Sequence, residues 1–503
     1  MKQKEVSEIM LTLLLLSVVV LAFNIHAVKG GGSWVWVRNT ITGTYGEAVV
    51  GTGTALYIAK GTAFYRYRPS NNSLDEMANP PEPDGEAFKT GTTLAWDFGD
   101  HIYALYGAAT DDSRRWFYRY SISQNLWQAL ANTTADQGEG DAITWVSIDN
   151  CIYATIGGEQ RPTYFLRYNP ITNAWSDAEV ADPPAGMGDG ASLVWTGSNF
   201  LYALRGEFDE TTALYDFWRY NITGNVWTAM ADIPAYPHDG GVGGVGDGGS
   251  LLYIGLWLSN QNDFIYALSG NQAHPESPQP IPDNRFYRFT TSTNSWERLA
   301  DLPFGVGYYV GNRLGYADGY IYAWQGALSA WVGGGDDLAR YEFPKPPVAD
   351  FDYSPIFPAV NKTVTFDASD SYDSDGIIIS YTWNFGDNTV VTMTKPVISH
   401  TYRGAGSYIV NLTIMDNDGL IDTSIKSINV KKLSSTITVN VYPMSVTVGS
   451  NITVNGIIMP TRRAVNVTIS YRPFGNATWN TLATVKTDFN SNYIYAWKTS
   501  EIG

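Results

Sequence analysis

Apolar residues fall in runs of four or five along most of this chain, and each run is closed by a glycine or a polar turn. The stretch from Phe200 to Trp227 shows the pattern once. Leu201-Tyr202-Ala203-Leu204 is a short apolar strand stopped by Gly206. A polar loop follows, then a second strand ending in Trp218-Arg219-Tyr220. The tight turn Asn221-Ile222-Thr223-Gly224-Asn225 leads into a third strand marked by Trp227. The pattern predicts short β-strands joined by hairpin turns.

The unit recurs. Tyr with Gly four residues on occurs at Tyr57/Gly61, Tyr103/Gly107, Tyr153/Gly157, Tyr202/Gly206, Tyr266/Gly270 and Tyr322/Gly326, about 50 residues apart. Tyr67, Tyr120, Tyr168, Tyr220 and Phe289 are each followed five positions on by Asn72, Asn125, Asn173, Asn225 and Asn294. Seven positions on come Leu74, Trp127, Trp175, Trp227 and Trp296. Asn tolerates the positive φ of a hairpin turn, and Trp is large enough to fill the gap between wedge-shaped sheets. A small sheet cannot bury both faces alone, but radial repetition buries them against neighbours.

The Tyr-Ala-Leu-x-Gly strand and the Arg-Tyr…Asn-x-Trp hairpin resemble those of kelch and galactose-oxidase-type β-propellers. The resemblance implies an all-β fold with six blades. The double glycine usual in kelch units survives only at Gly157-Gly158, so the chain is a divergent member. The 64-residue step from Tyr202 to Tyr266 leaves a seventh blade open, although a Gly-rich loop and a longer fifth unit explain it. The sixth unit lacks its Asn-x-Trp strand and breaks at Pro344, Pro346 and Pro347. The N-terminal strand Ser33-Trp34-Val35-Trp36-Val37-Arg38 has no unit of its own, and is expected to supply that missing outer strand.

From Val348 to Val430 the repeat gives way to plain alternation. Phe366-Asp367-Ala368-Ser369, Asp373-x-Asp375-Gly376, Tyr381-x-Trp383-Asn384-Phe385-Gly386-Asp387, His400-x-Tyr402, Gly406-x-Tyr408 and Asp416-Asn417-Asp418-Gly419 resemble the motifs of PKD domains. That family is immunoglobulin-like, with the Trp in the core, and serves as an adhesive or spacer module. Asn384 stands where the family usually has Asp. Asp373, Asp375, Asp416 and Asp418 are candidate calcium ligands, and turn formation explains them equally well. Residues 435–503 carry further alternation, such as Val465-Asn466-Val467-Thr468-Ile469, and resemble an incomplete immunoglobulin-like module of prokaryotic, particularly archaeal, surface proteins. The expected organisation is therefore a leader over 1–27, a propeller over 34–343, a PKD domain over 346–431 and a further β-sandwich over 435–503.

Composition and charge narrow the function. The chain has 503 residues, with 44% hydrophobic and 14% aromatic positions, enough for several cores. Net charge is −17, which speaks against nucleic-acid binding. A lone cysteine, Cys151, excludes an intramolecular disulfide. Residues 1–27 read as a signal peptide or an uncleaved signal anchor, with Lys2 and Lys4 before an apolar run from Ile9 to Phe23. Export to the cell surface or beyond is expected, with membrane attachment only through that segment or a missing C-terminal anchor. Glycosylation sequons stand at Asn71, Asn132, Asn221, Asn361, Asn411, Asn451, Asn466 and Asn476.

Glu47, Asp141, Asp189 and Asp247 each lie beside a Gly, just ahead of the inner strands such as Leu193-Val194-Trp195. In a propeller they would ring one mouth of the central channel as ligand-binding residues, although Asp-Gly pairs also start strands by turn chemistry alone. No catalytic set emerges. His101, His238, His274 and His400 are the only histidines beyond the leader. A galactose-oxidase-type copper site would need His and Tyr ligands and a Tyr-linked Cys, whereas Cys151 occupies an ordinary strand position. No cofactor is required; calcium is the candidate ion. The reading is a secreted or surface binding protein, a recognition head on a stalk, whose partner is an extracellular glycan or protein. The alternative is a secreted carbohydrate-active enzyme with an accessory PKD module.

Overall fold

The computed structural model describes residues 32–37, 47–82, 88, 91–107, 115–138, 140–157, 163–207, 214–235, 243–246, 248–271, 283–305, 313–325 and 337–499. The leader over 1–27 lies outside them. The described residues are all-β, with only two short 3₁₀ turns at Pro69–Asn71 and Ser259–Gln261. No helix among them is long and apolar enough to cross a membrane. The chain divides into two compact units, before and after the Lys345–Pro346 bond.

The first unit holds six four-stranded antiparallel sheets, none of them closed on itself. Their first strands are Glu47–Gly51, Thr93–Trp96, Ala142–Val146, Ser192–Trp195, Ser250–Tyr253 and Leu314–Ala317. Five sheets are built from consecutive strands; the fourth sheet runs Ser192–Trp195, Phe200–Leu204, Phe217–Asn221, Val226–Ala229. The sixth ends on the N-terminal strand Ser33–Val37, which pairs with Leu338–Glu342 and sets Trp34 opposite Tyr341. This is the partner expected from the orphan strand. Trp34 thereby takes the place that Trp127, Trp175, Trp227 and Trp296 hold opposite Tyr120, Tyr168, Tyr220 and Phe289.

Each first strand touches the first strand of the next sheet, and that of the sixth touches that of the first. Six apolar clusters follow the same order, each shared by two neighbouring sheets; the last joins Ala317, Tyr322 and Trp324 to Val49, Leu56 and Ile58.

Two side chains tie each of the second to fifth sheets to the one before it. Asn72, Asn125, Asn173, Asn225 and Asn294 sit at φ between 49° and 52°, as a hairpin Asn should. Held this way, Asn125, Asn173, Asn225 and Asn294 accept the backbone N–H of Ala78, Ala131, Ala181 and Ala231, which follow the outer strand of the preceding sheet (2.6–2.9 Å). The carbonyls of the same alanines accept the indole N–H of Trp127, Trp175, Trp227 and Trp296 at 2.8–3.0 Å. Trp34 does likewise to Ala300 at 3.0 Å. Each tie satisfies both polar groups of one peptide segment that would otherwise be strained for partners at a packed edge.

The junction between the sixth and first sheets is different, because Leu74 stands in the Trp position and has no donor. There the segment just past the first strand bonds to the sixth sheet: Gly53 N–H donates to Tyr316 O (3.2 Å), and Asp318 N–H to Gly53 O (2.8 Å). The approach depends on Gly51, where a β-carbon would lie 2.2 Å from Tyr316 O.

In the second unit, Asp352–Ser354, Thr363–Asp367 and Val397–Thr401 form one sheet. Val390–Met393, Ile378–Asn384, Gly406–Asp416 and Ile421–Val430 form another. Fully buried Trp383 packs between them with Phe351, Phe366, Phe385 and Tyr402. This core is self-sufficient, so residues 346–431 expressed alone are expected to give the dispersed NMR spectrum of a folded sandwich; a disordered spectrum would refute the boundary. Further on, Asn451–Met459 pairs with Asn492–Lys498, and Asn466–Tyr471 with Asn480–Lys486. Between these pairs Val439, Ile452, Leu482 and Trp497 help line an apolar hollow of about 410 Å³.

Candidate functional site

All six first strands of the first unit line one common cavity of about 90 Å³. Their registers decide how the acidic candidates relate to it. Each strand can be aligned on the residue opposite the repeat Tyr: Val50, Ala95, Thr144, Val194, Leu252 and Gly315. On that alignment Glu47 and Asp141 are equivalent, and Asp189 and Asp247 stand two residues earlier. In the repeat the four thus occupy two positions, one shared by Glu47 and Asp141 and one by Asp189 and Asp247.

Asp141 is buried, and its Oδ1 accepts the N–H of Gly157, the glycine of its own unit, at 3.0 Å. Thr92 holds the equivalent place in the second sheet, and its hydroxyl accepts Gly107 N–H at 3.1 Å. A hydroxyl thus does the same work as the carboxylate, which makes strand chemistry the first role of Asp141. Asp189 exchanges two 2.7 Å backbone bonds with Glu207. Between them Gly206, at φ +76°, leaves no room for a β-carbon, which would lie 2.5 Å from Asp189 O. Only the backbone of Glu47 is described, and Asp247 lies outside the described residues, as do most of Asn271–Arg285 and the other loops on this side.

Sequence reasoning missed the other end of the cavity. Trp96, Phe98, Trp195, Trp257 and Tyr316 converge there from four different sheets. Trp96 and Trp257 lie parallel, 4° apart with centroids at 6.2 Å, and Phe98 touches Trp96, Trp195 and Trp257. The indole N–H groups of Trp96 and Trp195 are spent on Gly99 O and Ser198 O in their own turns. The signals were present: an aromatic residue inside the Asp97–Asp100 turn, and the apolar Leu256-Trp257-Leu258 where other sheets have a short polar turn. Phe98 pays for its place with φ +61°. Cys151 is buried, and desolvation together with Asp149 pushes its thiol pKa up, the opposite of a reactive thiol.

In the second unit the four aspartates of the PKD motifs lie near enough for Asp416, Asp375 and Asp373 to act on the charge of Asp418. Asp416 is fully buried; its Oδ1 accepts Asp418 N–H and Leu420 N–H at 2.8 Å, and its Oδ2 has no hydrogen-bond partner. Asp373 Oδ1 accepts Asp375 N–H at 3.2 Å, and its Oδ2 is also unpartnered. Asp418 has its pKa raised by burial first, then by repulsion from Asp416, Asp375 and Asp373. As they stand, no three His, Cys, Asp or Glu side chains among the described residues converge closely enough to hold a metal ion. His400 shows a different use of charge: its Nε2 lies 2.8 Å from Asp387 Oδ2 while its ring stacks on Phe385.

The sequons separate by what their amides do. Asn221 is committed to its turn, its Oδ1 accepting Asn199 Nδ2 at 2.6 Å and Gly224 N–H at 2.8 Å. Asn71 accepts Ser73 N–H at 3.2 Å. Asn132, Asn361, Asn451, Asn466 and Asn476 are exposed, and Asn411 is half-buried on the outward side of a strand.

Residues 344–430 match the PKD domain family, and this segment is a PKD domain. Among curated proteins, the chain is 36% identical over 74 residues to a microbial collagenase of Vibrio alginolyticus, covering 15% of this chain and 9% of that protein. It is 41% identical over 71 residues to the collagenase ColA of Clostridium perfringens, covering 14% and 6%. It is 47% identical over 60 residues to the pre-pro-metalloprotease PrtV of Vibrio cholerae, covering 12% and 6%. The chain thus spans less than a tenth of the length of these relatives. Of solved structures, the PKD1 domain of the Vibrio cholerae metalloprotease PrtV matches with 35% identity, 18% of this chain, all of that chain and a TM-score of 0.16.

Proposed function

We propose that the first unit is a six-bladed propeller of the kelch and galactose-oxidase type, and that it is the recognition head of a secreted or cell-surface binding protein. The PKD domain and the following sandwich form its stalk. One observation carries the reading: six sheets whose first strands touch in order and return to the start around one cavity. That geometry suits a ligand held at a mouth by loops from several sheets. Glu47 opens the first strand of its unit and Asp141, Asp189 and Asp247 precede theirs, so the mouth at that end is taken as the ligand side. The partner is an extracellular glycan or protein. The PKD domain fits work outside the cell, and the N-terminal apolar run supplies the export signal. Screening residues 28–345 against a glycan array, with a hydrolysis assay on every hit, tests this. Retention of a glycan without turnover is expected; turnover would make the protein a carbohydrate-active enzyme.

Calcium is the proposed ion of the PKD cluster. Asp373, Asp375, Asp416 and Asp418 would supply the oxygens after a small closure, and the ion would remove the repulsion that raises the Asp418 pKa. Because that pKa is raised in the folded state, the contribution of Asp418 to stability is lost as pH rises through it. Two results are expected from calorimetry on residues 346–431. Millimolar calcium should raise the melting temperature at neutral pH. Asp418→Asn should raise it in chelator and lose the calcium response. An unchanged melting temperature with calcium would leave the four residues as turn formers.

A further inference from the structure

The outer face of the PKD sheet formed by Val390–Met393, Ile378–Asn384, Gly406–Asp416 and Ile421–Val430 has an unusual composition for a chain of net charge −17. Its cross-strand rows follow from the registers. One row reads Val390, Asn384, Asn411, Ile425; the next Thr392, Thr382, Thr413, Thr423; the next Ser380, Met415, Ile421. Ile409 and Ser427 extend it beyond the first row. None of these residues carries a charge. Val390, Ile409, Ile421 and Ile425 are 58%, 64%, 60% and 61% exposed. The threonines bond in pairs across the strands, Thr382 to Thr392 at 2.9 Å and Thr413 to Thr423 at 3.1 Å, which holds their methyl groups and hydroxyls in a flat array. The face thus sets four exposed aliphatic side chains among uncharged polar ones, a surface with no charge to keep a cover away.

The middle of the face names the cover. Asn411-Leu412-Thr413 is a sequon. Val410, Leu412 and Ile414 turn into the core, so Asn411 lies on the other side of the strand, half-buried, with its Oδ1 shielded from solvent and without a hydrogen-bond partner. Its neighbour across the strands is Asn384, the position where PKD motifs usually carry Asp. A carboxylate there would put charge against the amide that carries a sugar; Asn384 keeps the bed neutral. Isoleucine and threonine methyls offer apolar contact to the C–H face of a sugar ring, and the hydroxyls offer hydrogen bonds at its edge. A peptide or second copy would also need to bury this face, but neither explains an acceptor Asn at its centre.

We propose that Asn411 carries an N-linked glycan whose first sugars lie over this charge-free face. The inference rests on the reading that the chain is exported, and the test separates the two. The full chain is expressed in a host that N-glycosylates exported proteins, once behind its own leader and once behind the host's leader, with a known glycoprotein as control. Failure to leave the cell behind its own leader counts against export alone. Behind the host's leader, glycopeptide mass spectrometry is expected to find the Asn411 peptide modified and the Asn221 peptide unmodified. N411Q and T413V, two routes to the same loss, should both abolish that modification. Each should also increase binding of the apolar dye ANS several-fold while the near-UV circular dichroism stays native. Unmodified Asn411 overturns the proposal, and so does a modified Asn411 whose loss leaves ANS binding unchanged, because the face then needs no cover. T413S, which keeps the sequon, should restore the glycan and the low dye binding.

Discussion

Replacing Trp175 with alanine is expected to lower the unfolding free energy of the first unit by about 3–5 kcal/mol. The ring is buried at the junction of the second and third sheets, edge-on to Phe117 at 4.9 Å and against Tyr168 at 5.1 Å. Removal leaves a cavity between two packed sheets, and it also strips Ala131 O of its donor. Trp175→Phe isolates the second effect, since it fills most of the space and restores no hydrogen bond; its cost should be about 1–3 kcal/mol. Leu74→Ala, at the one junction without an indole-to-carbonyl hydrogen bond among those described, should cost less than Trp175→Ala. Denaturant titration followed by Trp fluorescence measures all three. Equal costs for Trp175→Ala and Leu74→Ala would remove the tie from the account of how the sheets hold together.

Deleting residues 34 to 38 should do still more damage. It takes the outer strand from the sixth sheet, the contact of Trp34 with Phe286 and Tyr341, and its hydrogen bond to Ala300. Strand Leu338–Glu342 becomes an open edge, a template for pairing with other chains. The expected loss exceeds that of Trp175→Ala and is on the order of 5 kcal/mol or more, much of the stability of a typical domain. The variant should unfold at far lower denaturant and show oligomers by size-exclusion chromatography. A midpoint within error of the parent chain would mean that the strand is decoration.

Spacing alone carried much of this architecture. The Tyr-x-x-x-Gly period marks all six sheets and Asn-x-Trp four of them, because each of those residues answers a local demand: a turn with positive φ, a strand end without a β-carbon, a wedge to fill. The orphan strand at Trp34 was legible for the same reason, since the sixth unit lacked one. The acidic positions were harder. A Gly beside Glu47, Asp141, Asp189 or Asp247 looks the same in sequence, but the cross-strand register separates them by two residues. Register depends on how each strand pairs. The aromatic end was invisible because Trp96, Phe98 and Trp257 belong to unrelated turns and meet only when the sheets are assembled. In the PKD motifs, Asp373 and Asp416 lie far apart in sequence, and the pairing of strand Ile378–Asn384 with Gly406–Asp416 brings their segments near each other. The substitution at Asn384, which has little consequence within its own motif, acquires meaning beside Asn411.

The pairing of Trp34 with Tyr341 has a temporal side. A chain made and threaded from its N-terminus presents Ser33–Val37 before the other described strands of the first unit, and Leu338–Glu342 after them. The opening strand must wait unpaired while the intervening sheets form, and loop closure over so long a separation is slow. Until the last hairpin arrives, both strands expose free edges that a second molecule in the same state can satisfy. Crowding of nascent copies at the point of synthesis or export therefore favours exchange of this one strand between neighbours. Dilution favours the molecule that bites its own tail.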